Sequence, residues 1–174
     1  RLLSMRYFLI GIKGVGMTGI ATLLKGEGHD VMGSDSDEPF FTDAILEKLG
    51  IPVVSFDASH IAPGIGKIIY SSAYAADHPQ IQMAKELGIP VVSYNEALAE
   101  MFNKKTGVLV VGTHGKTTST AMLARVLEDA GLDPTVVVGG ELVEWQKTAR
   151  RGSSPLMVAE GDEYQAKILD LKPR

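Results

Sequence analysis

Val108-Leu-Val-Val111 running into Gly112-Thr-His-Gly-Lys-Thr-Thr118 is the stretch on which the fold turns. A short, β-branched apolar run reads as a buried parallel strand. It stops at a glycine, and Gly115, Lys116 and Thr117 open a segment with helical patterning from Thr117 to Ala130. Strand, glycine loop, Lys-Thr and helix make the layout of a phosphate-binding loop. Its backbone N–H groups and the positive helix end hold phosphate oxygens. The lysine neutralises charge on the β and γ phosphates, and the Thr117 hydroxyl is a candidate Mg²⁺ ligand. The strict spacing G-x-x-x-x-G-K-[ST] asks for glycine at position 110, where Val110 stands, so this loop is shorter. The bland alternative is a Gly-Lys-Thr turn ahead of an ordinary helix; strand and helix falling where the motif needs them argue against it.

A second run, Leu156-Met-Val-Ala159, ends in Glu160. An acid at the tip of a strand beside a phosphate loop is placed to hold magnesium, directly or through water. Glu160 lies 43 residues after Thr117, a reasonable separation for a neighbouring strand of an α/β sheet. Asp162 and Glu163 follow at once, so a solvated acidic turn is the competing reading.

Upstream, Tyr7-Phe-Leu-Ile10 reads as the first strand, followed by Gly11-Ile-Lys-Gly14-Val-Gly16-Met-Thr-Gly19 and a helical segment to about Glu27. Gly14, Gly16 and Gly19 satisfy G-x-G-x-x-G between strand and helix, the dinucleotide-type fingerprint. The three glycines are expected to give a tight turn, close backbone approach to phosphate, and close helix packing. A second strand leads to Gly33-Ser34-Asp35, with Asp35 placed 19 residues after Gly16, where an acid usually meets a ribose hydroxyl. A plain turn or N-cap aspartate is the alternative.

Leu49-Gly-Ile-Pro-Val-Val-Ser55 recurs 38 residues later as Leu87-Gly-Ile-Pro-Val-Val-Ser93. Each copy follows a helix (Asp43 to Leu49; Pro79 to Leu87), ends it at glycine and is forced extended by proline, so one α-to-β connection is used twice. Between the copies, strand Lys67-Ile-Ile-Tyr70 ends in Ser71-Ser72-Ala73, small hydroxyls on the ligand side of an open sheet or caps of their own turn. A short helix from Asn95 to Phe102 and the polar hinge Asn103–Gly107 follow, and the domain boundary is placed at 105/106. Beyond the second helix come a Gly131-Leu-Asp-Pro134 stop, a strand from Thr135 to Val138, Gly139-Gly140, and a polar connection from Trp145 to Ser154. Its Lys147, Arg150 and Arg151 read as solvated. His29, His60 and His78 lack zinc spacing and read as structural; His114 differs only in lying inside the loop.

Bulk properties narrow the class. The 174 residues are 45% apolar with formal charge −4, which fits one domain plus part of another and gives no basic excess for nucleic acid. No apolar run reaches bilayer length, so membrane insertion is not expected. Arg1-Leu-Leu-Ser-Met5 is too short for a signal peptide. Zero cysteines exclude disulfides and thiolate metal sites and fit a cytoplasmic location.

Four segments in order resemble the Mur ligase family: Gly11-Ile-Lys-Gly-Val-Gly-Met17; Gly33-Ser-Asp35; Tyr70-Ser-Ser-Ala73 with His78-Pro79 and Leu87-Gly-Ile-Pro90; and Gly112-Thr-His-Gly-Lys-Thr-Thr118. Val158-Ala-Glu-Gly-Asp-Glu163 resembles the family's acidic strand end, and the short phosphate loop is the form the family uses. The resemblance implies an α/β chain: a Rossmann-like UDP-sugar domain at 1–105, then the truncated start of a P-loop ATPase domain at 106–174. Gly14, Val15, Gly16 and Met17, with Ser34, Asp35, Ser71 and Ser72, would bind the UDP-sugar. Gly112, Thr113, His114, Gly115, Lys116, Thr117 and Thr118 would cradle ATP, with Thr117 and Glu160 on Mg²⁺; Lys116, Thr117 and Glu160 would carry the chemistry. The implied reaction phosphorylates the lactyl carboxylate of UDP-N-acetylmuramate to an acyl phosphate that the amine of L-alanine then attacks. The family's amino-acid site is expected beyond Arg174. Departures are Lys13 for a usual glycine, placing a cation beside the presumed diphosphate site; Val138 for an asparagine; Gln165 for an acid; and Phe56 for a histidine. Glu163-Tyr164 is more like the branch that attaches a recycled tripeptide, while Ser71-Ser72-Ala73 favours the alanine branch. Outside the family, an NAD-dependent oxidoreductase would use the first glycine loop and leave the second idle, and a non-catalytic P-loop module would need no UDP-sugar.

Overall fold

The computed structural model describes residues 4–142, 147–161 and 171–173. The chain divides into two compact units, Arg1–Tyr94 and Asn95–Arg174. In order the elements are β1 (Arg6–Ile10), α1 (Val15–Gly26), β2 (Asp30–Ser34), α2 (Asp43–Lys48), β3 (Val53–Val54), β4 (Lys67–Tyr70), α3 (Pro79–Glu86), β5 (Val91–Ser93), α4 (Tyr94–Asn103), β6 (Thr106–Val110), α5 (Lys116–Asp129), β7 (Thr135–Leu142), β8 (Lys147–Arg150) and β9 (Leu156–Glu160).

The first unit is a five-stranded parallel sheet of order β3-β2-β1-β4-β5. Phe8, Leu9 and Ile10 of its middle strand have no exposed surface, as a strand covered on both faces requires. On one face Phe8, Ile10 and Ile68 pack with Ile81 and Ala84 of α3 and with Ile89. Helix α1 buries Met17, Ile20, Ala21, Leu23 and Leu24. Strand order reverses between β1 and β4, and a crevice at that switch, outside the strands' carboxyl ends, is where open α/β sheets take ligands.

The repeated Leu-Gly-Ile-Pro connection is one helix stop made twice. Gly50 and Gly88 take φ of +62° and +66°. After α2, the Gly50 and Ile51 amides donate to Glu47 and Leu46; after α3, the Gly88 and Ile89 amides donate to Lys85 and Ala84. This pair of bonds closes a helix through a left-handed glycine. Gly28-His29 and Gly131-Leu132 make the same two bonds after α1 and α5. The two proline-led strands, β3 and β5, then form opposite edges of the sheet.

The second unit carries a four-stranded sheet of order β6-β9-β7-β8, with β6, β9 and β7 parallel and β8 antiparallel to β7. Val136, Val138 and Ala124 of α5 form its buried cluster. Two sequence expectations change here. The run read as a polar connection contains β8, with Thr148 and Ala149 fully buried. Arg150 is bound rather than solvated: it pairs with Glu128 at 3.0 Å and Asp133 at 2.6 Å and donates to the Pro134 carbonyl. Strand β7 does not stop at Val138 but continues through Gly139-Gly140 to Leu142. Trp145, Asp162, Glu163, Tyr164 and Gln165, which entered the sequence reading, lie outside the described residues.

Candidate nucleotide sites

In the second unit, β6 and β9 end level with each other. Val110 is registered against Glu160, and the Gly161 amide donates to the Val110 carbonyl at 2.8 Å. The phosphate loop leaves from this edge. Gly112 (φ +151°) and Gly115 (φ +76°) supply conformations that a side chain would oppose, and Gly115 is the N-cap of α5. The first-turn amides of α5 have no intrahelical acceptor, and no acidic residue occupies that turn. Thr113, His114, Gly115 and Thr118 are exposed, while Gly112, Lys116 and Thr117 are half-buried. The loop is therefore open to an anion. Lys116 bends back over it, its Nζ donating to the Gly112 carbonyl at 2.7 Å.

Glu160 lies against Gly139, and Thr117 lies against Gly140. A Cβ on Gly139 would stand 2.9 Å from Glu160 Oε2, and one on Gly140 would stand 3.3 Å from Thr117 Cγ2 and 3.8 Å from its Oγ1. Bare backbone at two successive strand positions is what lets both side chains close in. Glu160 Oε1 is buried and accepts no hydrogen bond among the described residues. A carboxylate oxygen without a partner among the described residues and a threonine hydroxyl, each packed against one glycine of the pair, are the donor types a hard, oxygen-liganded divalent cation takes. Sequence reasoning noted the glycine pair without giving it a role; the signal was the doublet at a strand's C-terminal end. Val138, where the family resemblance suggests asparagine, is 1% exposed and belongs to the core.

The first unit's glycine loop is built differently. Its left-handed turn is at Gly11 (φ +79°), not at Gly14, which has φ −56° and caps α1. A Cβ at Gly11 would meet the Tyr74 ring at 2.6 Å and Ser71 Cβ at 2.9 Å, and one at Gly16 would meet the Tyr94 ring at 2.7 Å. The Gly11 and Ile12 amides donate to the Ser34 carbonyl, and the Lys13 amide to Asp35 Oδ2 at 2.7 Å. What remains for an anion is the first turn of α1: the amides of Val15, Gly16 and Met17.

Asp35 and Ser34 brace this loop from beneath. Asp35 is 5% exposed, and its other oxygen accepts from the Ser36 amide, so each carboxylate oxygen holds one backbone bond and keeps acceptor capacity for a ligand hydroxyl. Ser34 has no exposed surface and donates to Gln80 Oε1 at 2.6 Å. Ser71 Oγ accepts from the Ala73 amide, capping its own turn, while Ser72 is exposed. The Lys13 cation, expected beside the diphosphate, is 10% exposed along its side chain and turned toward Glu38 and Asp43. Phe56 joins Tyr74 and His78 in a cluster of mutually edge-on rings with centroids 5.1–5.3 Å apart. Burial raises the Tyr74 pKa, and the charge of Asp35 adds to the rise. Burial lowers that of His78, against the opposing pull of Asp77. The histidines read as structural make structural bonds: His29 Nδ1 accepts from the Met5 amide, His60 lies against the Ser55 carbonyl, and His78 caps α3.

Residues 6–106 match the family model described as Mur ligase family, catalytic domain. The UDP-N-acetylmuramate–L-alanine ligase of Desulfitobacterium hafniense (strain Y51) is 42% identical over 165 residues, covering 94% of this chain and 36% of the relative. That of Aquifex aeolicus is 42% identical over 171 residues, covering 97% and 37%. Among solved structures, the UDP-N-acetylmuramate:L-alanyl-gamma-D-glutamyl-meso-diaminopimelate ligase from Neisseria meningitides gives a TM-score of 0.87 at 30% identity, covering 98% of this chain and 58% of that one. The UDP-N-acetylmuramate-alanine ligase from Thermotoga maritima gives 0.81 at 32% identity, covering 90% and 37%. The chain spans a little over a third of the length of these two curated relatives.

Proposed function

Because the chain belongs to the Mur ligase family, we propose that it works in an ATP-dependent ligase that joins L-alanine to the lactyl carboxylate of UDP-N-acetylmuramate in the cytoplasm. Residues 1–105 are assigned to the UDP-sugar and residues 106–174 to ATP. Val15, Gly16 and Met17 present amides to the diphosphate, Gly14 and the Ser71-Ser72 turn border it, and Ser34 and Asp35 keep the loop in shape. Gly112 to Thr118 take the triphosphate, with Thr117 and Glu160 as the residues that would hold Mg²⁺.

The observation that carries this reading is the pairing of an open, acid-free helix N-terminus with an orphaned Glu160 oxygen across two bare glycines. The chemical difficulty is bringing a carboxylate anion up to a polyanion. Lys116 and the loop amides lower that barrier by placing positive charge where negative charge develops. Mg²⁺, when bound, would screen the β and γ phosphates and polarise the transferred group. Family membership sets aside the oxidoreductase alternative. The likeness to the Neisseria tripeptide ligase supports a second reading in which a peptide amine is the acceptor; phosphate release across a panel of amino acids and peptides by the full-length enzyme separates the two.

For residues 1–174 the direct test is calorimetry with UDP and with Mg-ATP. Both should bind, without alanine-dependent phosphate release. Lys116→Ala removes a charge-assisted contact of about 1.5–3 kcal/mol, so ATP affinity should fall roughly ten- to hundred-fold while UDP binding stays. Loss of both would refute two separate sites.

A further inference from the structure

Between the end of β2 at Ser34 and the start of α2 at Asp43 the chain has neither helix nor strand, yet its first residues, Asp35 to Asp37, and Asp43 at its far end line a cleft of about 430 Å³. Val53, Val54 and Ile51 floor the cleft, and Asp37, Asp43 and Glu47 stand on its rim. Among the described residues Lys13 is the one cation lining it.

Lys13 holds that segment by every group it has. Its amide donates to Asp35 Oδ2 at 2.7 Å, and its carbonyl accepts from Thr42 Oγ1 at 2.6 Å. Its ammonium donates to the Glu38 carbonyl at 2.9 Å, pairs with Asp43 Oδ1 at 3.3 Å and lies 5.8 Å from the centroid of the Phe40 ring. A lysine this enclosed must be paired, and here its partners are spread along the segment that needs holding.

In a sheet of this kind the phosphates lie over the first turn and the nucleoside runs out beyond the second strand, which is where this cleft opens. We propose that Lys13 is a positioning residue for nucleotide binding: it clasps the 36–43 segment, whose ends Ser36, Asp37 and Asp43 line the nucleoside cleft, and neutralises an otherwise acidic rim. The inference rests on the reading that this unit binds a nucleoside diphosphate. Without the clasp the segment undocks, and apparent affinity falls by the fraction of molecules in which it is docked.

The test measures UDP affinity and amide hydrogen exchange on the full chain with Lys13→Met and Lys13→Arg. Lys13→Met should raise the Kd for UDP by about tenfold and speed exchange at residues 36–42. Lys13→Arg, which restores the cation, should recover most of both. If Lys13→Met does not fold, Phe40→Ala and Asp43→Asn break the clasp from its exposed side and are measured instead. An unchanged Kd in a folded variant, even with faster exchange, overturns the inference while leaving the nucleotide reading in place. No UDP binding by the unmodified chain overturns the nucleotide reading and the inference with it.

Discussion

Glu160→Gln should make the ligand-free protein more stable and the metal-dependent one less so. Glu160 Oε1 is buried with no donor among the described residues, while Oε2 faces Gly139. An unsatisfied buried polar atom costs about 1–3 kcal/mol, and because the rest of Glu160 is only half-buried the low end applies. Replacing the carboxylate with a neutral amide of the same shape removes the charged part of that penalty. A gain of ~1 kcal/mol in a unit the size of Asn95–Arg174 raises its Tm by roughly 4–8 °C. The assay is differential scanning fluorimetry with and without Mg²⁺ and ATP. In the parent chain Mg-ATP should raise Tm through mass action; in Glu160→Gln that increment should shrink to what ATP alone gives. Opposite signs in the two conditions are the signature of a residue kept for a ligand at the expense of the fold. A lower Tm for Glu160→Gln without ligand, or an undiminished Mg²⁺ increment, would refute the reasoning.

Two glycine substitutions should separate space from conformation. Gly33→Ala drives a Cβ into the Leu9 carbonyl oxygen, which the sheet cannot move, so a loss of about 3 kcal/mol is expected in urea unfolding. Gly50→Ala meets nothing within 4 Å and opposes only φ of +62°, so it should cost about 1 kcal/mol. The His78 ring predicts a pH dependence. Burial lowers its pKa below the ordinary 6.5, so the unfolded chain takes up its proton first as pH falls. That contribution is present above 6.5 and is lost as pH drops through this value toward the lowered one. His78→Asn, which keeps a capping acceptor for the Gln80 amide, should flatten the slope of urea midpoint between about pH 7.5 and about pH 5.5.

The first sheet was legible because its middle strands are buried on both faces and each helix stops at a glycine. Tyr7–Ile10 and Ile68–Tyr70 are unbroken apolar runs, and Gly50 and Gly88 mark the ends of the helices that lead into β3 and β5. Strand β8 was not legible. Lys-Thr-Ala-Arg has no apolar run, and it is a strand because β7 offers it an edge and because Glu128 and Asp133 hold Arg150. Those partners lie far off in sequence, where no local pattern reaches. The premature end read for β7 has a similar cause. Gly139 and Gly140 look like a stop, but they are glycines because Glu160 and Thr117 crowd a strand that continues.

The candidate sites show the same limit from the other side, because a motif names residue types and leaves open which way their polar groups face. Both glycine loops were found from spacing, and they turn out to be opposites. Around the first, the carboxylate of Asp35, the hydroxyl of Ser34 and the ammonium of Lys13 are all bonded to the protein, and the first-turn helix amides are the groups proposed for the anion. Around the second, Thr113, His114 and Thr118 are exposed and Glu160 keeps an oxygen without a partner among the described residues. A loop whose polar groups are already satisfied is pre-organised: it binds with little rearrangement and gains specificity from its shape. A loop with unsatisfied groups is less stable alone and gains most when phosphate and metal arrive together. The first arrangement would suit a group that has only to be held by its diphosphate, and the second one whose charge must be redistributed during reaction, which is the physical ground for the division of labour proposed above.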